Sequence, residues 1–263
     1  MRGDTPDPDD PKARGGSGAR ADLPLIQLLP NLLTILAICA GLTAIRFAVQ
    51  GNFETAVKLI LVACVLDALD GKLARLLKSE STLGAELDSL ADFVNFGVAP
   101  VLMIYIWALQ DMSGPGWIAV LSFSVSCAIR LARFNVGHKS DSEDGQNTFF
   151  VGVPAPAGAL LVMFPMFLSF ALSDNPILMP EVIILHTICV ALLMISRLPT
   201  YSIKNVTISR SNIKFFLLGM VFGSWALLTY IWATLVLFDL IYIVGLFLAW
   251  RSKKQHSQQH GDM

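Results

Sequence analysis

Apolar residues in this chain come in long runs, not in the strict alternation of a half-buried strand. A bilayer core of about 30 Å needs about 20 mostly apolar residues in one helix. Eight stretches meet that length between polar or Gly/Pro breaks, at residues 31–50, 54–77, 89–109, 115–134, 154–173, 181–198, 213–230 and 231–250. The pattern predicts an all-α membrane protein, a polytopic helical bundle of about eight transmembrane helices. The last two stretches meet at a very tight turn around Tyr230 and Ile231.

The polar breaks sort by charge. Lys and Arg gather in cytoplasmic loops. Arg2, Lys12, Arg14 and Arg20 precede the first stretch; Lys72, Arg75 and Lys78 follow the second; Arg130, Arg133 and Lys139 follow the fourth. Arg197, Lys204, Arg210 and Lys214 follow the sixth, and Arg251, Lys253 and Lys254 end the last. The breaks around Gly51, Met112 to Gly116 and Asp174 to Pro180 hold neither residue type. An even number of spans with both termini cytoplasmic fits every loop, with Arg46 and Lys58 snorkelling to the outer interface.

Composition agrees, with 54% hydrophobic and 15% charged residues against about a quarter charged in soluble domains. A net charge of −1 without a concentrated basic face argues against a nucleic-acid partner. Cys39, Cys64, Cys127 and Cys189 each fall in a separate apolar run and read as small core hydrophobes. Residues 1–27 read as a disordered cytoplasmic tail lacking the apolar run of a secretory signal, and 252–263 as a second cytoplasmic tail. The polar stretch 137–148 is expected to be the longest loop, either a mobile lid or a solvated connector.

Chemistry concentrates where the second stretch ends and the third begins. Asp67 and Asp70 are three residues apart and Asp88 and Asp92 four, so each pair shares one helix face. An ionised Asp deep in a membrane costs about 2.5 to 3.5 kcal/mol, so four without partners oppose insertion by roughly 10 kcal/mol. Pairing with Lys72 or Arg75, or placement in the headgroup layer, offsets part of this. Four acids against two bases still leave negative charge over, and hard cations such as Mg2+ or Mn2+ take oxygen ligands of this kind. Gly71 and Gly84 permit close approach of a ligand or another helix, and Arg75 either holds a phosphate or snorkels.

Read together, D-x2-D-G-x2-A-R-x8-G-x3-D-x3-D from Asp67 to Asp92 resembles the signature of the CDP-alcohol phosphatidyltransferase family, with every fixed position present. The resemblance implies a six-helix catalytic core spanning 28–204, two additional transmembrane helices in 205–251, a homodimer, and a cytoplasmic site in a bacterial inner membrane. It implies two metal ions, Mg2+ or Mn2+, held by Asp67, Asp70, Asp88 and Asp92, with Asp92 as catalytic base. Asp67, Gly71, Ala74, Arg75 and Gly84 would contact the CDP portion of the donor.

The signature leaves the acceptor alcohol open. The stretches LPNLLTILAICAGLTAI at 29–45, FGVAP at 96–100, RLARFNV at 130–136, FFVGVPAPAGA at 149–159 and LMISRLPTYSIK at 193–204 resemble the bacterial phosphatidylserine synthase branch. Asn95 departs from it, standing where Ser is expected. That resemblance implies CDP-diacylglycerol and L-serine as substrates. Serine brings a carboxylate and an ammonium, so its pocket needs a guanidinium and an acidic or carbonyl partner. Arg130, Arg133, Arg197 and Lys204 are the available cations, each also explained by topology alone, and Arg133 and Arg197 are the preferred contacts. Asn31 and Thr34 either cap the first helix or touch the nucleotide. Choline or glycerol 3-phosphate are the alternative acceptors, choline calling for an aromatic cage. A cation transporter is the remote alternative, disfavoured because the acids lie toward one end of the spans and no repeat is visible.

Overall fold

The computed structural model describes residues 28–79, 81–144, 152–173, 176–196 and 213–259, and its described residues are helical throughout, without strands. The first two helices, α1 (Leu29–Val49) and α2 (Phe53–Leu76), form a hairpin. Its tight turn is written in two residues. Gly51 takes φ 79° and ends α1, its N–H donating to Ala48 O at 3.0 Å while Asn52 N–H donates to Phe47 O at 2.9 Å. Asn52 then caps α2 by accepting from Thr55 N–H at 3.2 Å. Ala37, Gly41, Ala44 and Ala48 on α1 and Ala56, Val57, Ile60 and Ala63 on α2 are buried, small residues that let membrane helices approach closely.

The end of α2 repeats the capping geometry with a different residue. Ser79 N–H donates to Ala74 O at 3.0 Å and Lys78 N–H to Arg75 O at 3.3 Å, while Lys78 itself sits at φ 50°. The chain then enters α3 (Thr82–Asp92), capped by Ser81, whose Oγ accepts from Gly84 N–H at 3.0 Å. A π-helical segment, Phe93–Val98, leads into α4 (Ala99–Ile104), and a second, Tyr105–Leu109, ends at the 3₁₀ turn Gln110–Met112. There the chain reverses into α5 (Ser113–Asp144). The apolar helical stretch Thr82–Gly137 has 56 residues, about three times a bilayer-spanning length. It is folded on itself: Ser124 Oγ donates to Gly97 O at 2.9 Å, and Asn135 Nδ2 donates to Ser89 Oγ at 3.0 Å.

Beyond it lie α6 (Ala155–Leu172), α7 (Pro180–Ile195), α8 (Ile213–Thr229) and α9 (Ile231–Gln259), with α5 packed along α7 and α6 along α9. Pro165 inside α6 cannot donate to the carbonyl four residues back. That carbonyl, Leu161 O, is instead met by His186 Nε2 of α7 at 2.7 Å. A freed backbone group within a membrane helix is thus satisfied by its neighbour.

Leu29–Val49, Thr82–Gly137, Ala155–Leu172 and Ile231–Leu248 are long and apolar enough to cross a membrane, while Pro180–Ile195 is apolar but shorter. Leu32, Ile35, Leu36, Val65, Leu185, Leu228 and Ile241 point outward, an apolar exterior that water would penalise and lipid does not.

Several boundaries move. The third helix begins at Thr82, before the expected 89, because Ser81 rather than hydropathy sets its start. Residues 137–144 continue α5 instead of opening a loop, and α9 runs to Gln259 through residues expected in the tail. Hydropathy marks where lipid ends, whereas the backbone hydrogen-bond ladder continues into water. The expected tail 1–27 lies outside the described residues. Of the four cysteines expected in the core only Cys127 is buried; Cys64 is half-buried, and Cys39 and Cys189 are on the exterior.

Candidate active site

One end of the bundle collects the start of α1, the end of α2, the start of α3 and the latter half of α5. Asp67, Asp70 and Asp88 each offer a carboxylate oxygen within 4.8 Å of the other two. Asp67 and Asp70 on α2 therefore face Asp88 on α3, while Asp92 is not part of this set. Asp92, one turn after Asp88, neighbours Asp67 electrostatically and has a buried Oδ1 without a partner.

No ion pair offsets this charge among the described residues. Lys58 pairs instead with Glu54 at 3.1 Å, far from the acids along α2. Arg75 turns its Nε to Gly71 O at 3.0 Å, so the alternative in which it pairs with Asp67 or Asp70 is not what is seen. Asp70 is 3% exposed and its Oδ1 has no partner. Carboxylates this close, with orphaned buried oxygens, repel one another unless protons or cations intervene. The set is oxygen-only and converging, which suits a hard divalent cation.

Asp70 has one fixed partner. Thr34 Oγ1 on α1 donates to Asp70 Oδ2 at 2.6 Å and also lies 3.1 Å from Pro30 O. Thr34 is therefore not a helix cap: α1 starts at Leu29 with no side-chain cap. Nor is Asn31, which packs beside Gly84, where an added Cβ would lie 3.0 Å from Asn31 Oδ1 and 3.1 Å from Ser81 Oγ. Gly84 thus serves the approach of α3 to α1. Gly71 differs: a Cβ there would meet nothing within 4 Å, so its surface is open. Ala74 is half-buried and Arg75 exposed on the same turn of α2.

The expected acceptor cations separate. Arg133 Nη1 donates to Ile195 O at 3.1 Å, closing the end of α7. Arg130 lies toward the acids, with Asp92, Cys127 and Tyr242 as its electrostatic neighbours and a buried Nε that has no partner. Arg197 and Lys204 lie outside the described residues. Asn95, the departure from the expected Ser, is fully buried on the π-helical segment three residues after Asp92, with both amide atoms unpartnered. It faces Gly41, where any Cβ would collide with its Oδ1.

Sequence reasoning missed the α9 side. Asp239 and Tyr242 carry buried polar atoms without partners. The signal was present as an isolated Asp in the apolar run VLFDLIY.

Residues 27–195 match the family described as CDP-alcohol phosphatidyltransferase. The chain is 41% identical over 184 residues to a Mycobacterium leprae protein named CDP-diacylglycerol--serine O-phosphatidyltransferase, covering 70% of this chain and 61% of that one. A Mycobacterium bovis protein of the same name is 46% identical over 150 residues, 57% of this chain and 50% of its own. The chain thus spans between half and about three fifths of the length of these mycobacterial relatives. A Helicobacter pylori protein, again of that name, is 33% identical over 224 residues, 84% of this chain and 90% of its own.

Proposed function

Because the chain belongs to the CDP-alcohol phosphatidyltransferase family, we propose that it transfers the phosphatidyl group of CDP-diacylglycerol to L-serine, releasing CMP. The observation that carries the chemistry is the convergence of Asp67, Asp70 and Asp88 within 4.8 Å, with Asp92 one turn away. Serine as the acceptor draws support from relatives whose name specifies it.

Asp67, Asp70, Asp88 and Asp92 would hold two divalent ions, Mg2+ or Mn2+. When bound, these supply positive charge against the diphosphate and the departing CMP. The protein's own residues do the rest. Thr34 fixes the Asp70 carboxylate, so that it presents one oxygen in a set direction. Open Gly71 and half-buried Ala74 allow the CDP portion to lie against α2, with exposed Arg75 available to a phosphate. Asp92 takes the proton of the serine hydroxyl as the new oxygen–phosphorus bond forms. The bond from that phosphorus to the CMP oxygen breaks, and its electron pair leaves with CMP.

Under this reading the helices cross an inner membrane eight times, with the acids and both termini on the cytoplasmic side and the protein a homodimer. The diacylglycerol tails remain in lipid while CMP and serine exchange with cytosol.

Incubating the purified protein with CDP-diacylglycerol, Mn2+ and labelled serine, choline or glycerol 3-phosphate tests the assignment. Phosphatidylserine with stoichiometric CMP is expected; lipid product only from another acceptor would overturn it.

A further inference from the structure

The family match ends at residue 195, yet α9 sends Asp239 and Tyr242 into the bundle. The inward face of α9 reads Leu235, Asp239, Tyr242 and Leu246, spaced four, three and four. Asp239 is 4% exposed, and its Oδ2 has no partner; the Tyr242 hydroxyl is buried and also without one. A carboxylate at this depth in an apolar wall is costly and marks a functional group unless something compensates it. No described cation does so.

The third unpartnered group is Arg130 Nε, and its neighbours include both Asp92 and Tyr242. Helix α5 packs along α7 and α9 along α6, so α5 and α9 share no extended face. Arg130 and Tyr242 are nonetheless electrostatic neighbours. Asp239 lies one turn from Tyr242 on the same face, their Cβ atoms about 5–6 Å apart by helix geometry. The guanidinium neighbours both the candidate base and the phenol, the carboxylate stands one turn from the phenol, and three such groups without partners match a small zwitterion. An α-amino acid carries its two charges on one carbon and suits this set; choline lacks the carboxylate and glycerol 3-phosphate the ammonium.

We propose that α9 completes the acceptor side of the active site, with Arg130 and the Tyr242 hydroxyl holding the carboxylate of serine and Asp239 its ammonium group. The inference rests on the serine assignment above. It gives α9 a part in acceptor recognition and leaves the serine hydroxyl facing Asp92.

The test uses the full chain in lipid nanodiscs with Mn2+ and CDP-diacylglycerol, comparing wild type, Asp239→Asn and Tyr242→Phe. Both changes keep shape, and Asp239→Asn removes a buried charge, so folding is not put at risk. The KM for serine is expected to rise about tenfold or more in Asp239→Asn and severalfold in Tyr242→Phe, with the KM for CDP-diacylglycerol unchanged. Asp239→Asn is also expected to narrow the preference for serine over glycerate, which has a hydroxyl in place of the ammonium. If wild type makes phosphatidylserine while both variants keep their serine KM, or both substrates' KM values rise together, the α9 inference is wrong and the serine assignment stands. If wild type makes no phosphatidylserine, both fall.

Discussion

Thr34 shows what a single hydroxyl contributes to an acidic cluster. Its hydroxyl lies 2.6 Å from Asp70 Oδ2, a hydrogen bond that orients the carboxylate and leaves Oδ1 buried without a partner. Groups that orient metal-binding carboxylates commonly change affinity about 10- to 100-fold when removed. Thr34→Val keeps the shape and should raise the Mn2+ concentration for half-maximal activity by about that factor, with the KM for serine unaltered; a Mn2+ titration of activity checks it. The four aspartates were legible because helical spacing alone puts each pair on one face. Thr34 was visible only as a polar residue near a helix start, since its partner lies 36 positions away. Asn95 and Gly41 could not be paired from sequence at all, because their contact depends on how α1 crosses the π-helical segment.

Among elements, the ends carry the information that hydropathy lacks. Two helix ends use the same hydrogen-bonded cap, one with Gly51 at φ 79° and one with Lys78 at φ 50°. A left-handed conformation costs a non-glycine residue about 1–2 kcal/mol. Lys78→Gly should therefore raise thermal stability by about 1 kcal/mol, read as a higher melting temperature in detergent. The Pro165 break makes the opposite case. His186→Leu leaves Leu161 O unpartnered inside the bundle and should destabilise the fold by about 1–3 kcal/mol in the same assay. The motif residues also find physical reasons here. Gly152, at φ 91°, would drive a Cβ to 2.7 Å from Met194 O, and Gly97 would drive one to 2.9 Å from Cys127 Sγ, so neither position accepts a side chain without displacement. Sequence placed the helices well but misplaced the starts and ends set by Ser81 and by the polar continuations of α5 and α9.

For the whole molecule, the distribution of Lys and Arg argues that the acids face the cytoplasm, and the structure puts Gln50 to Asn52 and Gln110 to Met112 at the turns between successive helices. In cells carrying a variant without native cysteines, Ser113→Cys should react with an impermeant thiol reagent added outside, and Ser252→Cys only after the membrane is permeabilised. The reverse pattern would invert the topology. The helical elements were readable because a bilayer asks for long apolar runs between polar breaks. The α9 contribution was not, because one Asp in an apolar run gives no indication of which helix it faces.

The central requirement is that α2 and α3 jointly bind divalent ions. Electron paramagnetic resonance of Mn2+ titrated into the purified protein with CDP-diacylglycerol measures this without relying on turnover. Two bound ions per chain are expected in wild type, with loss of at least one in Asp67→Asn and in Asp88→Asn. Unchanged Mn2+ binding in both variants would contradict the account.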